Sequence, residues 1–393
     1  MYLSFLDYWS WNNNIILLYN QTKKPKTRRM NDMEKLLDVV FQFIDKDENV
    51  KIEPLGKGHI NDSYRVGTAD KEYVLQRINH NIFKNVHELQ NNIHRVTSHI
   101  RAKLIEKGVT DVERRVITLI PTHEGALYYK DNNGDYWRLM IFIKDSKSYE
   151  EITPDLAYRA GMAFGEFQKT LEDIGGEPLF ETIPNFHNME NRLEAFREAV
   201  KANSAGRLDE VADLVKEIED RAEEMCKAER LHREGKLPKR INHCDTKVNN
   251  VLFDNDDQVI CVVDLDTVMP GFVLSDFGDF IRTGANTGAE DDKNLDNVSV
   301  NLDIFEAYAK GYLKHAASFL TDTEIENLPY GAKLLTYMQT VRFFTDYLNG
   351  DTYYKIAYPE HNLVRTKAQF KLLQSIEENY GKMQQIVKDA SRK

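Results

Sequence analysis

The chain has 393 residues, enough for two domains or lobes, and 41% of them are hydrophobic, which is typical of a globular protein with sizeable cores. Its formal net charge of −11 argues against a general role in binding nucleic acid or an anionic membrane surface. The three cysteines show no CxxC spacing, which argues against a disulfide framework or a zinc cluster and favours a reducing, cytoplasmic location.

Residues 1–32 differ in composition from the rest of the chain. The segment "MYLSFLDYWSWNNNIILLYN" is apolar, but polar residues interrupt it too often for a membrane span, and it lacks the layout of a signal peptide. A basic run, "KKPKTRR", follows, and a helical pattern, "MEKLLDVVFQFI", begins at Met33. We predict that residues 1–32 are an extension outside the fold; the alternative is a peripheral anchor.

Residues 33–143 predict an antiparallel sheet lobe with one main helix. The segments "VKIEPLGKGHINDSYRVG" and "KEYVLQRIN" indicate three strands with a Gly-rich turn between the first two. The segment "VHELQNNIHRVTSHIRAKLIEKG" has apolar residues at helical spacing. Three further strands are predicted in "RRVITLIPT", "ALYYKD" and "YWRLMIFI".

Residues 144–393 predict a mostly helical lobe with one small hairpin, "VLF"–"DNDD"–"VICVVD". Thr153 and Pro154 are typical of a helix start, and Thr321 with Glu324 predicts a capping box. Other helices are predicted at about 188–233, 303–316, 322–348 and 361–386. The predicted fold class is therefore α+β, with a sheet lobe followed by a helical lobe.

The segment "NHCDTKVNN", residues 242–250, contains the strongest catalytic pattern. Asp245 and Asn250 have the spacing of the kinase loop H-x-D-x-x-x-x-N, in which the Asp accepts the proton of the acceptor hydroxyl and the Asn ligates magnesium. We expect His243 to orient Asp245, and Lys247 to offset charge on the transferred phosphoryl group. The alternative is a hairpin with polar turns.

Asp264, at the end of the strand "VICVVD", predicts a second magnesium ligand. A turn at "DNDD" would return this strand to the catalytic loop, and Asp266 is a possible further ligand. Asp276 precedes an apolar helical segment. It predicts the N-cap of that helix, or a support for the catalytic loop through hydrogen bonds to its backbone, and the two roles are compatible.

Two segments of the sheet lobe are candidates for nucleotide binding. The turn "GKGHINDSY" contains Gly56, Gly58 and His59, which could approach ATP phosphates or form an ordinary hairpin turn. The strand "YVLQRIN" lacks the lysine with which kinases contact the α- and β-phosphates.

Arg77 is our candidate for the role of that lysine, with Gln76 as the competitor, because neighbouring residues of a strand face opposite sides. Phe142, at the end of the last strand, is a further candidate nucleotide contact. For the acceptor, Arg342 lies on the aromatic segment "YMQTVRFFTDYLNGDTYYKI", four residues before Asp346. Both are candidate substrate contacts, and the alternative is a helix ion pair between them.

In combination, "HCDTKVNNVLFD", "VVDLDTVMPGFVLSDFGDFIRTGANT", "GHINDSY", "YVLQRIN" and "RFFTDYLNGD" resemble the N-acetylhexosamine 1-kinases of the aminoglycoside phosphotransferase superfamily. The resemblance runs from about residue 45 to the C-terminus. It implies a protein-kinase-like fold and ATP- and magnesium-dependent phosphorylation of the anomeric hydroxyl of N-acetylglucosamine or N-acetylgalactosamine. It also implies Asp245 as base, Asn250 and Asp264 as magnesium ligands, and Arg342 as a sugar contact.

The residues alone indicate a phosphotransferase with a small hydroxyl acceptor. A kinase for another alcohol, such as an aminoglycoside, choline or a different sugar, is the alternative within this class. A non-catalytic nucleotide-binding protein is the alternative outside it, although the presence of Asp245, Asn250 and Asp264 together argues against that reading. We expect ATP, magnesium and a small sugar as ligands, and no nucleic acid, membrane or protein partner.

Overall fold

A computed structural model describes residues 26–56 and 60–392, with only the backbone for residues 26–32. The chain forms two compact units, which are described separately. The first contains residues up to Asn79 together with Leu119–Phe142, and the second contains His80–Thr118 together with Ile143–Lys393. Residues 80–118, which the sequence assigns to the sheet lobe, therefore group with the second unit.

The first unit consists of helix α1 (Lys26–Val40) and, within the described residues, a six-stranded antiparallel sheet. Its strands are β1 (Lys51–Pro54), β2 (Asp62–Gly67), β3 (Glu72–Ile78), β4 (Leu119–Ile120), β5 (Tyr129–Lys130) and β6 (Tyr136–Ile141). The strand order is β1-β2-β3-β6-β4, and β5 also pairs with β6. Helix α1 begins at Lys26, inside the predicted N-terminal extension.

The two faces of this sheet differ in polarity. On one face, Leu75 of β3 and Trp137 of β6 are buried in an apolar cluster with the end of α1. Gln76 of β3 and Arg138 of β6 are Cα partners, and the alternation of side chains places both on the opposite face. The sheet therefore presents a polar pair on the face that α1 does not cover.

The predicted strand "RRVITLIPT" is mostly wrong. Val112–Arg115 is helical, and only the two residues of β4 pair within this segment. Val112 and Val116 are four residues apart and both buried, so they occupy one side of a helical turn. Apolar spacing over so few residues does not distinguish a short helix from a strand.

The second unit is mainly helical. Its helices are α2 (Val86–Glu106), α3 (Val112–Arg115), α4 (Pro154–Thr170), α5 (Met189–Ala202), α6 (Ala212–Met225), α7 (Lys227–Arg233), α8 (Val273–Gly284), α9 (Leu302–Ala316), α10 (Asp322–Glu326), α11 (Leu328–Leu348) and α12 (His361–Ser391). Its strands are β7 (Arg240–Asn242), β8 (Val251–Phe253), β9 (Val259–Val262) and β10 (Met269–Gly271). β8 pairs with β9 as predicted, and β7 pairs with β10.

Local sequence signals set several helix ends. The Thr153 side chain accepts a hydrogen bond from the backbone of Leu156 at the start of α4, as predicted. Thr321 and Glu324 form the predicted capping box of α10. The helix predicted over 322–348 is interrupted at Asn327, which separates α10 from α11. Within residues 26–56 and 60–392, none of the helices combines the length and hydropathy needed to cross a bilayer.

Close packing of two helix backbones fixes the position of α8 in the second unit. A Cβ atom on Gly278 of α8 would lie 2.1 Å from the carbonyl oxygen of Gly331 in α11. Only glycine permits this approach, so a side chain at Gly278 would push the two helices apart. Helix α8 also contains Asp276 and Asp279, which contact the loop described next.

Candidate active site

The loop after β7 is anchored by a buried histidine. The backbone N–H of Asp245 donates to Nδ1 of His243 (3.3 Å), and Nε2 of His243 lies 2.8 Å from the carbonyl oxygen of Val263. Because Nδ1 accepts, this pattern assigns the ring proton to Nε2, which donates to Val263. His243 is fully buried. It therefore orients Asp245 through the backbone and is not exposed to a substrate.

Both carboxylate oxygens of Asp245 have neighbours within the same loop. Oδ1 lies 3.2 Å from Nζ of Lys247, and Oδ2 accepts a hydrogen bond of 3.1 Å from Nδ2 of Asn250. Nδ2 of Asn250 also donates to the backbone carbonyl of Asp245 (2.8 Å), which leaves Oδ1 of Asn250 as the atom that can ligate a metal. The Asp245 charge is the main cause of a raised pKa at Lys247, so this lysine is protonated at neutral pH.

The structure places Asp264 beside Asn250, as the hairpin predicts. The backbone N–H of Val263 donates to the carbonyl oxygen of Asn250 (2.9 Å), and Asp264 is the next residue. Asp264 has a left-handed backbone with φ of 60°. Residues other than glycine adopt this conformation at an energetic cost. Asp266 is buried in the short helix that follows.

An amide oxygen from Asn250 and a carboxylate from Asp264 fit a magnesium ion. Mg²⁺ prefers oxygen donors and is usually bound by one or two carboxylates together with water and substrate phosphates. Within the described residues there is no group of three or more His, Cys, Asp or Glu suited to a metal ion. One amide oxygen and one carboxylate are the kind of donor set that substrate phosphates and water complete around Mg²⁺.

Asp276 holds the backbone of the loop that contains Asp245 through hydrogen bonds. Its carboxylate accepts hydrogen bonds of 2.8 Å from the backbone N–H groups of His243 and Cys244, and a third of 2.8 Å from Gln168. Asp276 lies inside the first turns of α8, and Phe272 occupies the N-cap position. The N-cap prediction is therefore wrong, and the loop-support prediction agrees with the geometry. Burial raises the pKa of Asp276 to about 6, against the lowering effect of His243.

Asp279 connects the catalytic loop to Arg282 and Glu290. Its Oδ2 accepts from the backbone N–H of Thr246 (3.1 Å), and its Oδ1 accepts from Arg282 (2.9 Å). Arg282 also donates to Glu290 (2.7 Å). Burial would raise the pKa of Asp279, but the charges of Arg282 and Lys247 outweigh it and lower the pKa. The motifs considered in the sequence analysis do not identify this network.

Arg342 contacts aromatic rings and makes no ion pair with Asp346, although the structure describes both residues. Its guanidinium lies 5.4 Å from the ring centroid of Phe186 and 5.7 Å from that of Tyr354. Its Nη1 donates to Oε1 of Gln339 (3.0 Å). The helix ion pair left open by the sequence is therefore wrong.

Asp346 shapes the turn that follows α11. Its two oxygens accept hydrogen bonds from the backbone N–H groups of Thr352 (2.9 Å), Tyr353 (2.8 Å) and Tyr354 (2.9 Å), and from the side chain of Asn362 (2.8 Å). These donors engage both carboxylate oxygens of a buried residue. The geometry gives Asp346 a positioning role; it also lines the cavity described below, so the substrate contact predicted from the sequence stays a prediction.

His187 and Arg192 are two residues near Arg342 that the sequence did not indicate. His187 stacks on Phe186 with ring centroids 4.4 Å apart. Burial lowers the pKa of His187 to about 3; Asp279 opposes this shift, and Arg342 and Arg192 add to it. The imidazole is therefore neutral at physiological pH. It has no sequence signal, because an isolated His in a loop has many possible roles.

The region around Arg342 contains two arginines and one carboxylate. A cavity of about 280 Å³ is lined by Arg192, Arg342, Asp346, Tyr353 and Tyr354 among others, and the oxygens of Asp346 already accept the hydrogen bonds described above. Arg192 donates to the carbonyl oxygen of Phe186 (2.7 Å), and burial lowers its pKa to about 10. In the part of the chain that the structure describes, neither Arg192 nor Arg342 is within 4.0 Å of a carboxylate.

In the first unit, Arg77 lies on the sheet face that α1 covers. Its guanidinium pairs with Asp62 on β2 and lies 3.6 Å from Asp135. Asp135 is also 3.4 Å from Lys35 of α1. Asp62 on the neighbouring strand and Asp135 just before β6 therefore engage Arg77 on this face.

Gln76 lies on the other face, where its Oε1 accepts from Arg138 (2.7 Å) and its Nε2 donates to Ser63 (2.9 Å). Arg138 is a buried cation that the sequence prediction missed. Only its position opposite Gln76 would have indicated Arg138, and that position is known only once the register of β3 and β6 is known. Gly56 has φ of 69°, and among the described residues no atom beyond its chain neighbours lies within 4 Å of where a Cβ would be.

The remaining candidates for nucleotide contact are only partly described. The ring of Phe142 lies 4.6 Å from the guanidinium of Arg65. Gly58 and His59 lie outside the described residues, so their predicted role in the turn remains a prediction.

Comparison with known proteins identifies the class. The sequence profile of the APH phosphotransferase enzyme family matches residues 51–315, more than half of the chain, so the protein belongs to this family. Solved structures with a similar fold include a microcompartment-associated aminopropanol kinase, with 14% identity, coverage of 89% of this chain and 98% of that chain, and a TM-score of 0.55. An ethanolamine kinase from Plasmodium vivax has 12% identity, coverage of 88% and 90%, and a TM-score of 0.57.

A third similar structure is a spectinomycin phosphotransferase in complex with ADP and spectinomycin. It has 13% identity, covers 88% of this chain and 98% of that chain, and has a TM-score of 0.54. These similarities establish a protein-kinase-like fold, with an N-terminal antiparallel sheet and a helical C-terminal part. The family and fold support a small-molecule phosphotransferase that acts on an alcohol group.

Proposed function

We propose that this protein is an ATP- and magnesium-dependent kinase that phosphorylates the anomeric hydroxyl of N-acetylglucosamine or N-acetylgalactosamine, giving the 1-phosphate in amino-sugar salvage. The observation that carries the choice of a neutral acceptor is the charge around Arg342. Arg192 and Arg342 have no carboxylate partner there, and His187 is neutral. The choice of an N-acetylhexosamine among neutral acceptors rests on the sequence resemblance.

The same charge pattern argues against a cationic acceptor. Aminopropanol and ethanolamine, after which two of the similar proteins are named, carry an ammonium group at neutral pH. Such a group needs carboxylates or aromatic faces free of competing cations. Here Asp279 and Glu290 already pair with Arg282, and Arg342 lies over Phe186 and Tyr354. The carboxylate of Asp346, which also lines the cavity, already accepts hydrogen bonds on both oxygens from the turn after α11 and from Asn362. An ammonium group would therefore meet repulsion, whereas hydroxyl and acetamide oxygens can accept hydrogen bonds from guanidinium groups.

The catalytic loop supplies the base and the nearest positive charge. We propose that Asp245 accepts the proton of the acceptor hydroxyl. The hydroxyl oxygen bonds to the γ-phosphorus as the bond between that phosphorus and the ADP oxygen breaks. Lys247, close to Asp245, offsets negative charge on the phosphoryl group as it moves. Asn250 and Asp264 would ligate magnesium, which when bound neutralises charge on the phosphates. We propose Gln76 and Arg138, in place of Arg77, as contacts to the α- and β-phosphates.

The anomeric position suits a carboxylate base. An anomeric hydroxyl is more acidic than a primary one, so its proton is better matched to Asp245. The other hydroxyls and the acetamido group would then contact Arg342 and the tyrosines of the turn that Asp346 fixes. Aromatic rings with a polar edge are common partners of sugar faces.

A comparison of acceptors tests this proposal. The protein is incubated with ATP and magnesium and with free N-acetylglucosamine, free N-acetylgalactosamine, their 1-O-methyl glycosides, choline or ethanolamine, and ADP release is measured. We expect turnover with at least one free sugar, and none above background with the methyl glycosides or the amino alcohols. NMR of the product should place phosphorus on C1. Phosphorylation of the methyl glycosides would refute the anomeric assignment, and preference for choline or ethanolamine would refute the charge argument.

A further inference from the structure

A second cavity adjoins the loop that contains Asp245. It has a volume of about 210 Å³ and is lined by the segment before α5, by α7, by β10 and by the start of α8. Cys244, the residue before Asp245, also lines it. The residues used below are His187, Glu229, His232, Cys244, Phe272 and Ser275. Apart from the ring pair Phe186–His187, this cavity shares none of the residues that define the Arg342 site.

Three buried polar atoms among the residues of this cavity have no partner. They are Nδ1 of His187, Oε2 of Glu229 and Oγ of Ser275. Glu229 is 6% exposed and Ser275 is 1% exposed. The other oxygen of Glu229 accepts from the backbone N–H of Met189 (2.6 Å), which fixes the carboxylate in place. Buried polar atoms are usually hydrogen-bonded, so three unpartnered ones among the residues of one cavity leave hydrogen-bonding capacity that a ligand with polar groups could use.

Aromatic rings form two walls of the cavity. Phe186 and His187 are stacked on one side, and His232 lies against Phe272 with ring centroids 5.3 Å apart on another. The two cations that line it are already paired, Arg233 with Glu190 at 2.8 Å and Lys239 with Glu181 at 3.1 Å. Ring faces combined with a carboxylate, a hydroxyl and a neutral imidazole are suited to molecules with several hydroxyl groups.

We propose that this cavity is a second ligand site, for a neutral, hydroxyl-rich molecule about the size of one sugar ring. Oε2 of Glu229 would accept from one ligand hydroxyl, and Ser275 and His187 would each bond to another. The site goes beyond the kinase activity proposed above, because binding here requires neither ATP nor transfer. Its position beside Cys244 places the ligand next to the backbone that Asp276 supports.

NMR of the full-length protein with labelled histidines tests the proposal. His232 lines this cavity and is not part of the Arg342 site, so its ring signal, assigned by its loss in His232→Gln, reports on this site alone. Methyl β-D-glucopyranoside is the neutral probe, and choline is the cationic probe. We expect a saturable shift of the His232 signal with the glucoside and no shift with choline.

Two conservative variants make the test specific. Ser275→Ala removes one unpartnered hydroxyl. Glu229→Gln preserves an acceptor for Met189 and replaces the unpartnered oxygen by a donor. We expect each to weaken glucoside binding at least tenfold, whereas Glu234→Gln, on an exposed residue at the end of the same helix, and Arg342→Ala should leave the midpoint unchanged. Thermal unfolding confirms that each variant is folded.

Three outcomes would overturn the proposal. Absence of a saturable His232 shift would mean that the cavity contains only water. A shift with the same midpoint in wild type, Ser275→Ala and Glu229→Gln would mean that the ligand binds elsewhere. Saturable binding of choline would show that the ligand class is wrong. None of these results depends on turnover, so the proposed kinase function can fail or succeed independently.

Discussion

At the scale of single residues, the carboxylate of Asp245 is positioned entirely by its own loop. Lys247 and Asn250 contact one oxygen each, and His243 fixes the backbone. None of these contacts involves a residue distant in sequence, although His243 and Asn250 are in turn bonded to Val263. Such a preorganised carboxylate can accept a proton without first moving into place, which is the main requirement of phosphoryl transfer.

Asp245→Asn should therefore remove turnover without unfolding the protein. The amide is the same size but cannot accept the proton, and loss of a general base typically costs about a hundredfold or more in rate. The measurement is kcat with N-acetylglucosamine, together with ADP binding by calorimetry, which should stay near the wild-type value. Asp256→Asn, in the exposed turn between β8 and β9, is the matched control. A kcat within a few-fold of wild type would exclude Asp245 as the base.

His187 predicts a pH dependence of stability. Its pKa in the folded protein is lowered to about 3, mainly by burial, whereas the ordinary value of 6.5 applies to the unfolded chain. Below pH 6.5 the unfolded chain binds a proton that the folded protein does not, so folding is disfavoured as the pH falls from 6.5 towards 3. The slope of the decrease in the free energy of unfolding approaches roughly 1.4 kcal/mol per pH unit.

Urea unfolding at pH 7.0 and pH 5.5 measures this effect. We expect wild type to lose about 1 kcal/mol more than His187→Gln between these values, because glutamine does not titrate. His123→Gln, at an exposed histidine of the first unit, serves as the control and should behave as wild type. Equal losses in wild type and His187→Gln would show that His187 is accessible to protons in the folded protein.

At the scale of elements, the turn after α11 depends on one buried carboxylate. Asp346→Asn replaces one acceptor oxygen by an NH₂ group that must face hydrogen-bond donors from Tyr353, Tyr354 or Asn362. Leaving buried donors unpaired costs about 1–3 kcal/mol of folding stability. Because Tyr354 contacts Arg342, displacement of the turn should raise the acceptor KM by about tenfold, equivalent to about 1.4 kcal/mol.

The effect on KM distinguishes this role from general destabilisation. ADP affinity, which depends on other residues, should change little in Asp346→Asn. Asp322→Asn, at the first residue of α10, is the control for a helix Asp outside the turn. A variant that is less stable but has an unchanged acceptor KM would show that the turn does not contribute to acceptor binding.

Elements with strictly local signals were predictable from the sequence, and those set by tertiary packing were not. The cap at Thr153 and the box at Thr321 involve residues within one helical turn, so the sequence contains the whole interaction. The segment from Val112 to Val116 fits a strand or a helical turn equally well, and its neighbours decide between them. The break at Asn327 does have a local signal, Pro329 in the first turn of α11, which the sequence analysis did not use.

At the scale of the whole molecule, the same distinction applies to the candidate site. The spacing of Asp245, Asn250 and Asp264 predicted their grouping, because one loop and one hairpin connect them. Arg138 and His187 could not be predicted, because their relevance depends on which sheet face they share or which distant guanidinium groups surround them. Strand alternation already placed Arg77 and Gln76 on different faces, and only the position of α1 shows which of the two faces is covered.

The boundary of the folded protein provides a test at the same scale. In the first unit, packing of α1 on the sheet involves Val39 and Val40, which are 2% and 0% exposed, and the pair Lys35–Asp131 at 3.1 Å. Burial of each such aliphatic side chain stabilises the fold by about 1.5–3 kcal/mol. Deleting residues 1–40 should therefore unfold the first unit, whereas deleting residues 1–25 spares every contact of α1 that contributes to this core.

We expect the protein lacking residues 1–25 to keep its Tm within about 2 °C, the shift that a few tenths of a kcal/mol would cause, and to keep its kcat with N-acetylglucosamine. The protein lacking residues 1–40 should lose both turnover and the cooperative melting of the sheet. The full-length variant Val40→Ala is the intermediate case, because it removes one buried side chain and leaves the chain length unchanged. Its Tm should fall between the other two. If deletion of residues 1–25 already abolishes folding or turnover, the first residues are part of the fold and the predicted extension is wrong.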